Sequence, residues 1–514
     1  MQPDLQNNYD SDDESIFSET TYKTTFDMNN AFIEEVTLES QGKPIDVKFS
    51  LKFDDGPLDL DPDLLSNVLG RLEFKEPTTI QKYTIPLIRR GCDVMACAHT
   101  GTGKTAAFLI PIVQAIHGIN PKVVTGKIQK PLALIVAPTR ELALQIFHET
   151  KKFTFKLKSC RPKIAYGGVD FNDQATGLWL GCNILIGTPG RIRHYIEEGK
   201  VSLENIKYFV LDEADRMLDM GFKGAMYYLT DKVTGMPDKS VRQTILFSAT
   251  YTKGVLEVSN DFLKKTHCFV GVGKIDTKAA KGSVGTAPPN IIQTFHNLTA
   301  DQKKHRLREI LNVLMLADAE TAIEEYERQR KNRRPDSDEY MDHVFQRGFR
   351  NKGIVFVRTK KDAHALTGFL CEYLTETCFG VFRRKYPKYG GGFSDLSYDL
   401  CDTINGDVPQ AWREKRLNEF KSGNQYLVLV ATNIASRGLD IKDLTHVIQY
   451  HLPGNIEEYI HRIGRTGRAG KSGTAISFYQ PDTDRGMAVK LVRVMQESGQ
   501  EMPEWLLAEA GLRK

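Results

Sequence analysis

Residues 94–105 read VMACAHTGTGKT and join a short apolar run to a glycine-rich loop. The next stretch, AAFLIPIVQAI, has the apolar spacing of a helix. A strand, a glycine-rich loop and a helix in this order place backbone N–H groups and a helix N-terminus around bound phosphate. The segment therefore predicts an α/β domain with a phosphate-binding loop at residues 98–105. The alternative is an ordinary glycine-rich turn.

Similar apolar runs alternate with helical patterns along most of the chain. They are LALIVAP (132–138), ILIG (184–187), YFVLDE (208–213) and TILFSAT (244–250), then GIVFV (353–357), YLVLVA (426–431), HVIQYH (446–451) and GTAISFY (473–479). Continuous apolar strands separated by helices predict a parallel sheet covered on both faces. The predicted fold class is α/β, with two parallel-sheet domains in tandem.

Composition sets the predicted domain limits. The N-terminal segment is acidic and polar, which predicts a disordered tail. The segment GKIDTKAAKGSVGTAPPN is rich in Gly, Lys, Ala and Pro, which predicts a linker. The limits are 1–45 for the tail, 46–272 for the first domain, 273–290 for the linker, 291–482 for the second domain with insertions near 317–347 and 375–400, and 483–514 for a C-terminal helical extension.

Charge and cysteine content restrict the class of protein. The 69 Lys and Arg residues against 65 Asp and Glu leave a formal charge of +4, so any affinity for nucleic acid must come from local patches. The eight cysteines form no CxxC pair, which favours a reduced intracellular protein. No apolar run approaches the roughly 18 residues that span a bilayer, so we expect a soluble protein without a membrane partner.

The glycine-rich loop predicts the phosphate chemistry. Its glycines let backbone N–H groups surround the phosphates, Lys104 reaches the outer phosphates, and the Thr105 hydroxyl binds Mg²⁺. The predicted nucleotide-binding residues of this loop are Ala98, His99, Thr100, Gly101, Thr102, Gly103, Lys104 and Thr105.

An acidic cluster ends the apolar strand at 208–211. Asp212 is placed to hold Mg²⁺, and Glu213 to orient and deprotonate an attacking water. The alternative is a helix cap. Ser248 and Thr250 end another strand, where their hydroxyls would couple the acidic cluster to domain closure.

The stretch HRIGRTGR at 461–468 packs three arginines and a histidine into eight residues. Arginine supplies bidentate positive charge where phosphoryl transfer develops negative charge. We predict that Arg465 and Arg468 face the γ-phosphate from the second domain. The alternative is a surface patch that binds nucleic-acid phosphates.

Nine motifs in this order closely resemble the DEAD-box RNA helicase family, over about residues 53–505. They are PTTIQ (77–81), AHTGTGKT (98–105), PTRELALQ (138–145), Gly167-Gly168, TPGR (188–191), DEAD (212–215), SAT (248–250), ATNIASRGLD (431–440) and YIHRIGRTGRAG (459–470). The segments ASRGLDIK (435–442) and QEMPEWL (500–506) are most similar to the Vasa-like subgroup.

This resemblance implies two RecA-like domains that hydrolyse ATP in the cleft between them, with Mg²⁺, and that separate RNA strands locally. It further implies that Gln81 reads the adenine edge, that Phe53 stacks on the adenine ring, and that Asp440 bonds the ribose. The alternative is a catalytically weak, ATP-dependent RNA clamp or scaffold that recruits partners.

The resemblance also implies a sequence-independent RNA site, since hydroxyls, arginines and glycine backbone suit contacts to phosphate and the 2′-OH. The implied RNA-binding residues are Pro138, Thr139, Arg140, Gly168, Thr188 and Arg191 in the first domain, and Arg358, Gln410, Arg413 and Thr432 in the second. Protein partners are expected at the second-domain insertions. The expected location is the cytoplasm, with perinuclear ribonucleoprotein granules of the germline and RNA silencing as specific possibilities and the nucleus as the alternative.

Overall fold

The computed structural model describes residues 36–40, 43–44, 52–54, 58–99, 101–121, 125–273, 282–283, 287, 290–330, 351–385, 400–422, 427–432, 441, 444–467 and 471–512. The chain divides into two compact units, Met1–Thr286 and Ala287–Lys514. In the described part of the chain no helix is long and apolar enough to cross a membrane.

A nine-stranded sheet forms the centre of the first unit. The strands of this unit are β1 (Val36–Ser40), β2 (Lys43–Pro44), β3 (Val94–Cys97), β4 (Ala133–Val136), β5 (Pro162–Ala165), β6 (Ile184–Gly187), β7 (Tyr208–Leu211), β8 (Gln243–Ser248), β9 (Tyr251–Thr252), β10 (Cys268–Val272) and β11 (Gly282–Ser283). The order across the sheet is β2-β1-β10-β3-β8-β7-β4-β6-β5, and β9 pairs separately with β11. The seven strands from β10 to β5 are parallel, which confirms the predicted fold class.

Helices cover both faces of this sheet. They are α1 (Pro62–Leu65), α2 (Thr79–Arg89), α3 (Lys104–Ile119), α4 (Arg140–Phe153), α5 (Phe171–Leu178), α6 (Pro189–Glu197), α7 (Ala214–Asp219), α8 (Lys223–Leu229) and α9 (Lys253–Phe262), with a π-helical turn at Ser66–Arg71 and a 3₁₀ turn at Lys232–Thr234. Alternate residues of β3 enter opposite cores: Val94 and Ala96 pack with α2, α3 and α4, whereas Met95 and Cys97 pack with α6 to α9. This two-sided burial explains why the parallel strands are apolar throughout.

The N-terminal edge of the sheet differs from the sequence-based limit. Residues 36–40, assigned to the acidic tail, form β1 and pair antiparallel with β10, from Val36 opposite Val272 to Ser40 opposite Cys268. A polar segment joins a sheet here because the pairing uses backbone groups, and Leu38 adds a packing contact with the core. The remainder of the predicted tail before residue 36 lies outside the described residues.

The second unit is built on a six-stranded sheet. Its strands are β12 (Ile291–Asn297), β13 (Gly353–Val357), β14 (Cys401–Ile404), β15 (Val428–Thr432), β16 (His446–Gln449) and β17 (Gly473–Tyr479). The order is β12-β17-β16-β13-β15-β14, and all five pairings are parallel. The predicted second parallel-sheet domain is therefore confirmed.

The helices of the second unit include two long ones beside the predicted insertions. They are α10 (Ala300–Arg330), α11 (Lys360–Lys385), α12 (Gln410–Ser422), α13 (Ile456–Ile463), α14 (Pro481–Asp484), α15 (Ala488–Glu497) and α16 (Glu504–Glu509), with a 3₁₀ turn at Arg485–Met487. α10 and α11 carry the first parts of the two insertions in helical form, and the segments 331–350 and 386–399 lie outside the described residues. The C-terminal segment is helical, and the centre of its Trp505 ring lies 5.3 Å from that of Tyr479.

Candidate functional site

The glycine-rich loop closes tightly between β3 and α3. Gly101 and Gly103 have φ angles of 84° and 87°, a left-handed conformation that glycine adopts without a Cβ penalty. The buried Lys104 ammonium folds back and donates to the Ala98 carbonyl at 2.7 Å. Thr102 donates from its hydroxyl to the His99 carbonyl at 2.9 Å. The loop thus has the backbone shape predicted for a phosphate cradle, whereas Thr100 lies outside the described residues.

Helix α2 is fastened to this loop by two side chains. The Gln81 amide nitrogen donates to the Gly103 carbonyl at 3.0 Å, and its oxygen accepts from the Thr78 N–H at 3.0 Å. The Thr78 hydroxyl donates to the Thr102 carbonyl at 2.7 Å. The Gln81 side chain therefore uses one donor and one acceptor in bonds within the protein. These bonds connect α2 to the glycine-rich loop.

Phe53 differs from its expected position. Its side chain is 0% exposed, it belongs to the main core of the first unit, and its ring lies 6.0 Å from that of Phe74. A ring that stacks on adenine needs one face free, and the buried position leaves none. The structure therefore does not support the assignment of Phe53 to base stacking. Its ring packs inside the hydrophobic core of the first unit instead.

The acidic cluster and the SAT segment are joined by hydrogen bonds. The Asp215 carboxylate accepts from the Thr250 hydroxyl at 2.9 Å and from the Ala249 N–H at 3.1 Å. The Ser248 hydroxyl donates to the Thr250 carbonyl at 2.8 Å. Asp215 was missed in the sequence analysis, which assigned roles to the first two acids only. The position of Asp215 as the last acid of DEAD could have indicated a role. The sequence alone does not show that its partner is the SAT segment.

Asp212 and Glu213 lie at the end of β7. Glu213 adopts a left-handed backbone conformation, with φ of 52°, and its N–H donates to the Asp212 carboxylate at 3.0 Å. Burial raises the pKa of Asp212 to about 7, and the nearby Lys104 opposes this shift. Burial disfavours the charged form of a carboxylate, and a bound cation would stabilise that charged form. Together with the half-buried Thr105 hydroxyl, this donor chemistry fits Mg²⁺, which binds through few protein oxygens and completes its shell with phosphate and water.

The predicted RNA-facing residues of the first unit follow β4, β5 and β6. The Thr139 hydroxyl caps α4 by accepting from the Leu142 N–H at 3.2 Å. Gly168 has φ of 88°, and a Cβ there would collide with the Arg140 guanidinium, so the two lie against each other. Pro138 is buried beside them.

The segment after β6 carries two further predicted RNA contacts. Thr188 precedes α6 without making a capping bond from its side chain. The Arg191 guanidinium donates to the Val169 carbonyl at 2.8 Å and lies 5.7 Å from the centre of the Phe171 ring. Arg191 therefore also braces the loop after β5.

Strand order brings these motifs to one edge. The loops after β3, β8 and β7 carry the glycine-rich loop, SAT and DEAD, and these three strands are neighbours. The loops after β4, β6 and β5 carry the predicted RNA contacts, and these strands are the next neighbours. The carboxyl edge of the first sheet thus carries the predicted nucleotide motifs on one half, called the nucleotide half, and the predicted RNA contacts on the other half, in keeping with ligand binding at the carboxyl ends of parallel strands.

The second unit orders its predicted residues in the same way. Arg358 follows β13, Thr432 ends β15, and Arg413 lies in the first turn of the helix after β14, and these strands are adjacent. Arg358 lies 3.6 Å from the Asp484 carboxylate. Gln410 begins the helix that carries Arg413, and its side chain lies outside the described residues, as does the whole of Asp440.

The arginine-rich segment contains one arginine whose role the sequence analysis missed. Arg462 is buried, donates to the His451 carbonyl at 2.7 Å, and lies 5.0 Å from the centre of the Phe356 ring. Arg465 is also buried and donates to the His461 carbonyl at 3.1 Å. Arg468 lies outside the described residues. The three arginines look equivalent in sequence, and only the contacts of Arg462 with the His451 carbonyl and the Phe356 ring identify it as a packing residue.

Comparison with known proteins places this arrangement in a family. Residues 78–258 match the DEAD/DEAH box helicase family, and residues 337–470 match the helicase conserved C-terminal domain, together more than half of the chain. The chain belongs to the DEAD/DEAH box helicases. The resemblance predicted from the nine motifs is thereby confirmed.

This DEAD/DEAH box helicase is similar to curated proteins along nearly its whole length. It is 37% identical over 499 residues to the "ATP-dependent RNA helicase DDX4" of Mus musculus. The matched region covers 96% of this chain and 60% of that protein. It is also 37% identical over 444 residues to the "ATP-dependent RNA helicase vasa" of Drosophila melanogaster. The matched region covers 86% of this chain and 56% of that protein. These relatives confirm the Vasa-like resemblance, and the chain spans at most 60% of the length of either.

Two solved structures agree with the fold. Mss116p bound to single-stranded RNA and AMP-PNP matches with a TM-score of 0.60 and 29% identity, covering 88% of this chain and 79% of that chain. A Dbp5 variant of S. cerevisiae bound to RNA and ADP BeF3 matches with a TM-score of 0.62 and 25% identity, covering 88% of this chain and 95% of that chain. The DEAD/DEAH box helicase described here therefore has the predicted pair of RecA-like domains.

Proposed function

We propose that this chain is an ATP-dependent RNA helicase that hydrolyses ATP and locally unwinds or remodels RNA. The observation that carries the proposal is the divided carboxyl edge of the first sheet, where the nucleotide motifs after β3, β8 and β7 lie beside the predicted RNA loops after β4, β6 and β5. The names of the similar mouse and fruit-fly proteins, both ATP-dependent RNA helicases, support the same activity.

The residues of the nucleotide half have the chemistry for phosphoryl transfer to water. Lys104, which bonds the Ala98 carbonyl, exchanges that carbonyl for phosphate oxygens when ATP enters. Glu213, held in its left-handed conformation, orients the attacking water and accepts its proton. Thr105 and Asp212 would hold Mg²⁺, which would neutralise charge on the phosphates. Arg465 and Arg468 stabilise the charge that develops on the γ-phosphate.

The hydrogen bonds between Asp215 and the SAT segment suggest how two neighbouring loops of the nucleotide half communicate. Thr250 and Ala249 both donate to one carboxylate oxygen of Asp215, so a shift of the DEAD segment on nucleotide binding is transmitted to the loop after β8. Ser248 and Thr250 thus act as positioning residues in the proposed cycle. Gln81 is a further positioning residue, since it ties α2 to the phosphate loop.

RNA is the proposed substrate of the second half of the edge. We propose that it lies across Thr139, Arg140, Gly168 and Thr188 in the first unit, and across Arg358, Gln410, Arg413 and Thr432 in the second. These groups offer hydroxyls, guanidinium groups and backbone, which suit sugar and phosphate and carry little base specificity. We further propose that the two insertions of the second unit bind partner proteins, and that the protein resides in cytoplasmic ribonucleoprotein granules.

Steady-state ATP hydrolysis with and without single-stranded RNA tests the proposed function. Turnover stimulated by RNA in the wild type and lost in Glu213→Gln is the expected result. A protein that binds RNA only in the presence of ATP but shows no turnover would instead be an RNA clamp or scaffold. Stimulation by DNA equal to that by RNA would contradict the proposed substrate.

A further inference from the structure

A large aromatic side chain is exposed at the carboxyl edge of the second sheet. Trp412 lies in the first turn of α12, the helix that follows β14, and 54% of its surface is exposed. All three tryptophans of the chain lie within the described residues, and the other two, Trp179 and Trp505, are half-buried. Trp412 is therefore the tryptophan that presents its ring to solvent.

A lysine holds the Trp412 ring from one side. The Lys415 ammonium lies 5.0 Å from the centre of the ring, in a cation–π contact within α12. The same ammonium lies 3.8 Å from the Glu419 carboxylate, one turn further along the helix. Within the described residues no second cation and no aromatic ring lies over Trp412, so one face of the ring remains available to a partner.

The neighbours of Trp412 indicate the chemistry of that partner. Single exposed apolar side chains are common on protein surfaces, so the position of the ring carries the argument. Gln410 and Arg413, both predicted to bind RNA, lie on the same turn of α12, and this helix carries four basic residues against two acidic ones. The preceding strand β14 pairs with β15, which ends at Thr432, a further predicted RNA contact. Aromatic rings among basic side chains are typical of sites that stack unpaired bases.

We propose that Trp412 is the stacking platform for one unpaired base of the RNA strand bound by the second unit. This inference rests on the proposed function and adds a base contact to the predicted sugar and phosphate contacts. The base covers the exposed face of the ring, while Lys415 holds the ring in place. Every base has a flat face, so the contact is independent of sequence. A base inside a duplex is already stacked on its neighbours, so the contact favours single-stranded RNA.

Removal of the ring has a specific expected effect on RNA binding. Trp412→Ala should weaken the affinity for single-stranded RNA by roughly 5- to 100-fold, the range for one lost base–aromatic stack. Trp412→Phe keeps a smaller ring and should lose less. The slope of log affinity against log salt concentration should stay at the wild-type value in both variants, because no phosphate contact is removed. The melting temperature should also stay unchanged, since the side chain is exposed.

The test is a double-mutant cycle between protein and RNA, with the full chain and a non-hydrolysable ATP analogue. Fluorescence anisotropy measures binding of a labelled single-stranded RNA just long enough to fill the site, and of copies that each lack one base. The wild type should bind one of these abasic copies about as weakly as Trp412→Ala binds the intact strand. Trp412→Ala should bind that copy and the intact strand equally, because the two changes remove the same contact.

Val489→Ala is the matched control variant. Val489 is also an exposed apolar residue of the second unit, at 55%, but it lies on α15, outside the predicted RNA-binding segments. Its replacement should leave the affinity for the intact strand and for every abasic copy at the wild-type value.

Three results would overturn the proposal while the wild type still binds RNA, which leaves the proposed function standing. One is Trp412→Ala that binds the intact strand as tightly as the wild type, which would assign the exposed ring to a different partner, such as a protein. Another is Trp412→Ala that loses the same factor on the intact strand and on every abasic copy, which would show that the ring positions α12 and stacks on no base. The third is a smaller salt slope in Trp412→Ala, which would show that phosphate contacts were lost. A wild type that binds no RNA would overturn the proposed function as well.

Discussion

Replacing Thr250 by valine removes one hydrogen bond between the SAT segment and the acidic cluster at nearly constant volume. The Thr250 hydroxyl is 0% exposed and donates to the Asp215 carboxylate at 2.9 Å. Asp215 keeps two backbone donors, from Ala249 at 3.1 Å and Arg216 at 3.0 Å. A hydrogen bond to a charged group contributes about 1.5–3 kcal/mol. We therefore expect the free energy of unfolding of the first unit to fall by about 2 kcal/mol.

Thermal and urea denaturation of the full chain measure this loss, which corresponds to a melting temperature lower by roughly 4–8 °C for a unit of this size. Thr84→Val is the matched control. Thr84 is also 0% exposed, but its hydroxyl donates to the Ile80 carbonyl at 2.7 Å within one helix, a neutral bond whose loss costs about 1 kcal/mol or less. If Thr250→Val loses no more stability than Thr84→Val, the charged bond to Asp215 does not hold the two motifs together.

Three further predictions concern other parts of the chain. Arg468→Ala should lower ATP turnover by about 10³–10⁵ while ATP binding persists, measured by phosphate release and by nucleotide titration. Gly103→Ala should weaken ATP binding and lower the melting temperature, because φ is 87° and the new Cβ would collide with the Gln81 amide, whereas Gly118→Ala, with open space around its Cβ, should not. Lys303→Met should raise the stability of the second unit at pH 7 by about 1–3 kcal/mol, because burial lowers the pKa of Lys303 to about 8 and, within the described residues, its ammonium has no hydrogen-bond partner. Since the folded pKa lies below the unfolded value of 10.5, that gain should be complete below pH 8 and shrink as the pH rises from 8 to above 10.5, which denaturation at several pH values checks.

Most strands with continuous apolar runs were predicted, although β10, with the apolar sequence CFVGV, was not, and strands with weaker patterns were missed. The segments at 94–98, 184–187 and 353–357 were identified because both faces of those strands are buried. β1 was missed, since its sequence VTLES is polar and its pairing depends on the exposed backbone edge of β10. β12 was missed because it lies at the edge of its sheet and alternates buried with exposed residues.

Some residues of the candidate site could be predicted from the sequence, and others could be recognised only from the structure. Lys104, Asp212 and Glu213 could be predicted as site residues because they belong to local motifs with fixed spacing. Asp215 and Arg462 were not, because their roles depend on partners that are distant in sequence or on burial.

The sequence by itself determined the two parallel-sheet domains and the family, and it located the glycine-rich loop, because apolar periodicity and short motifs are local properties of the chain. Only the tertiary structure decided that the glycine-rich loop, SAT and DEAD share one half of a sheet edge and that the predicted RNA loops share the other. That division follows from the strand order β3-β8-β7-β4-β6-β5, which differs from the order along the chain. Strand order is fixed by long-range backbone pairing and by the packing of helices on both faces, and neither is encoded in any one segment.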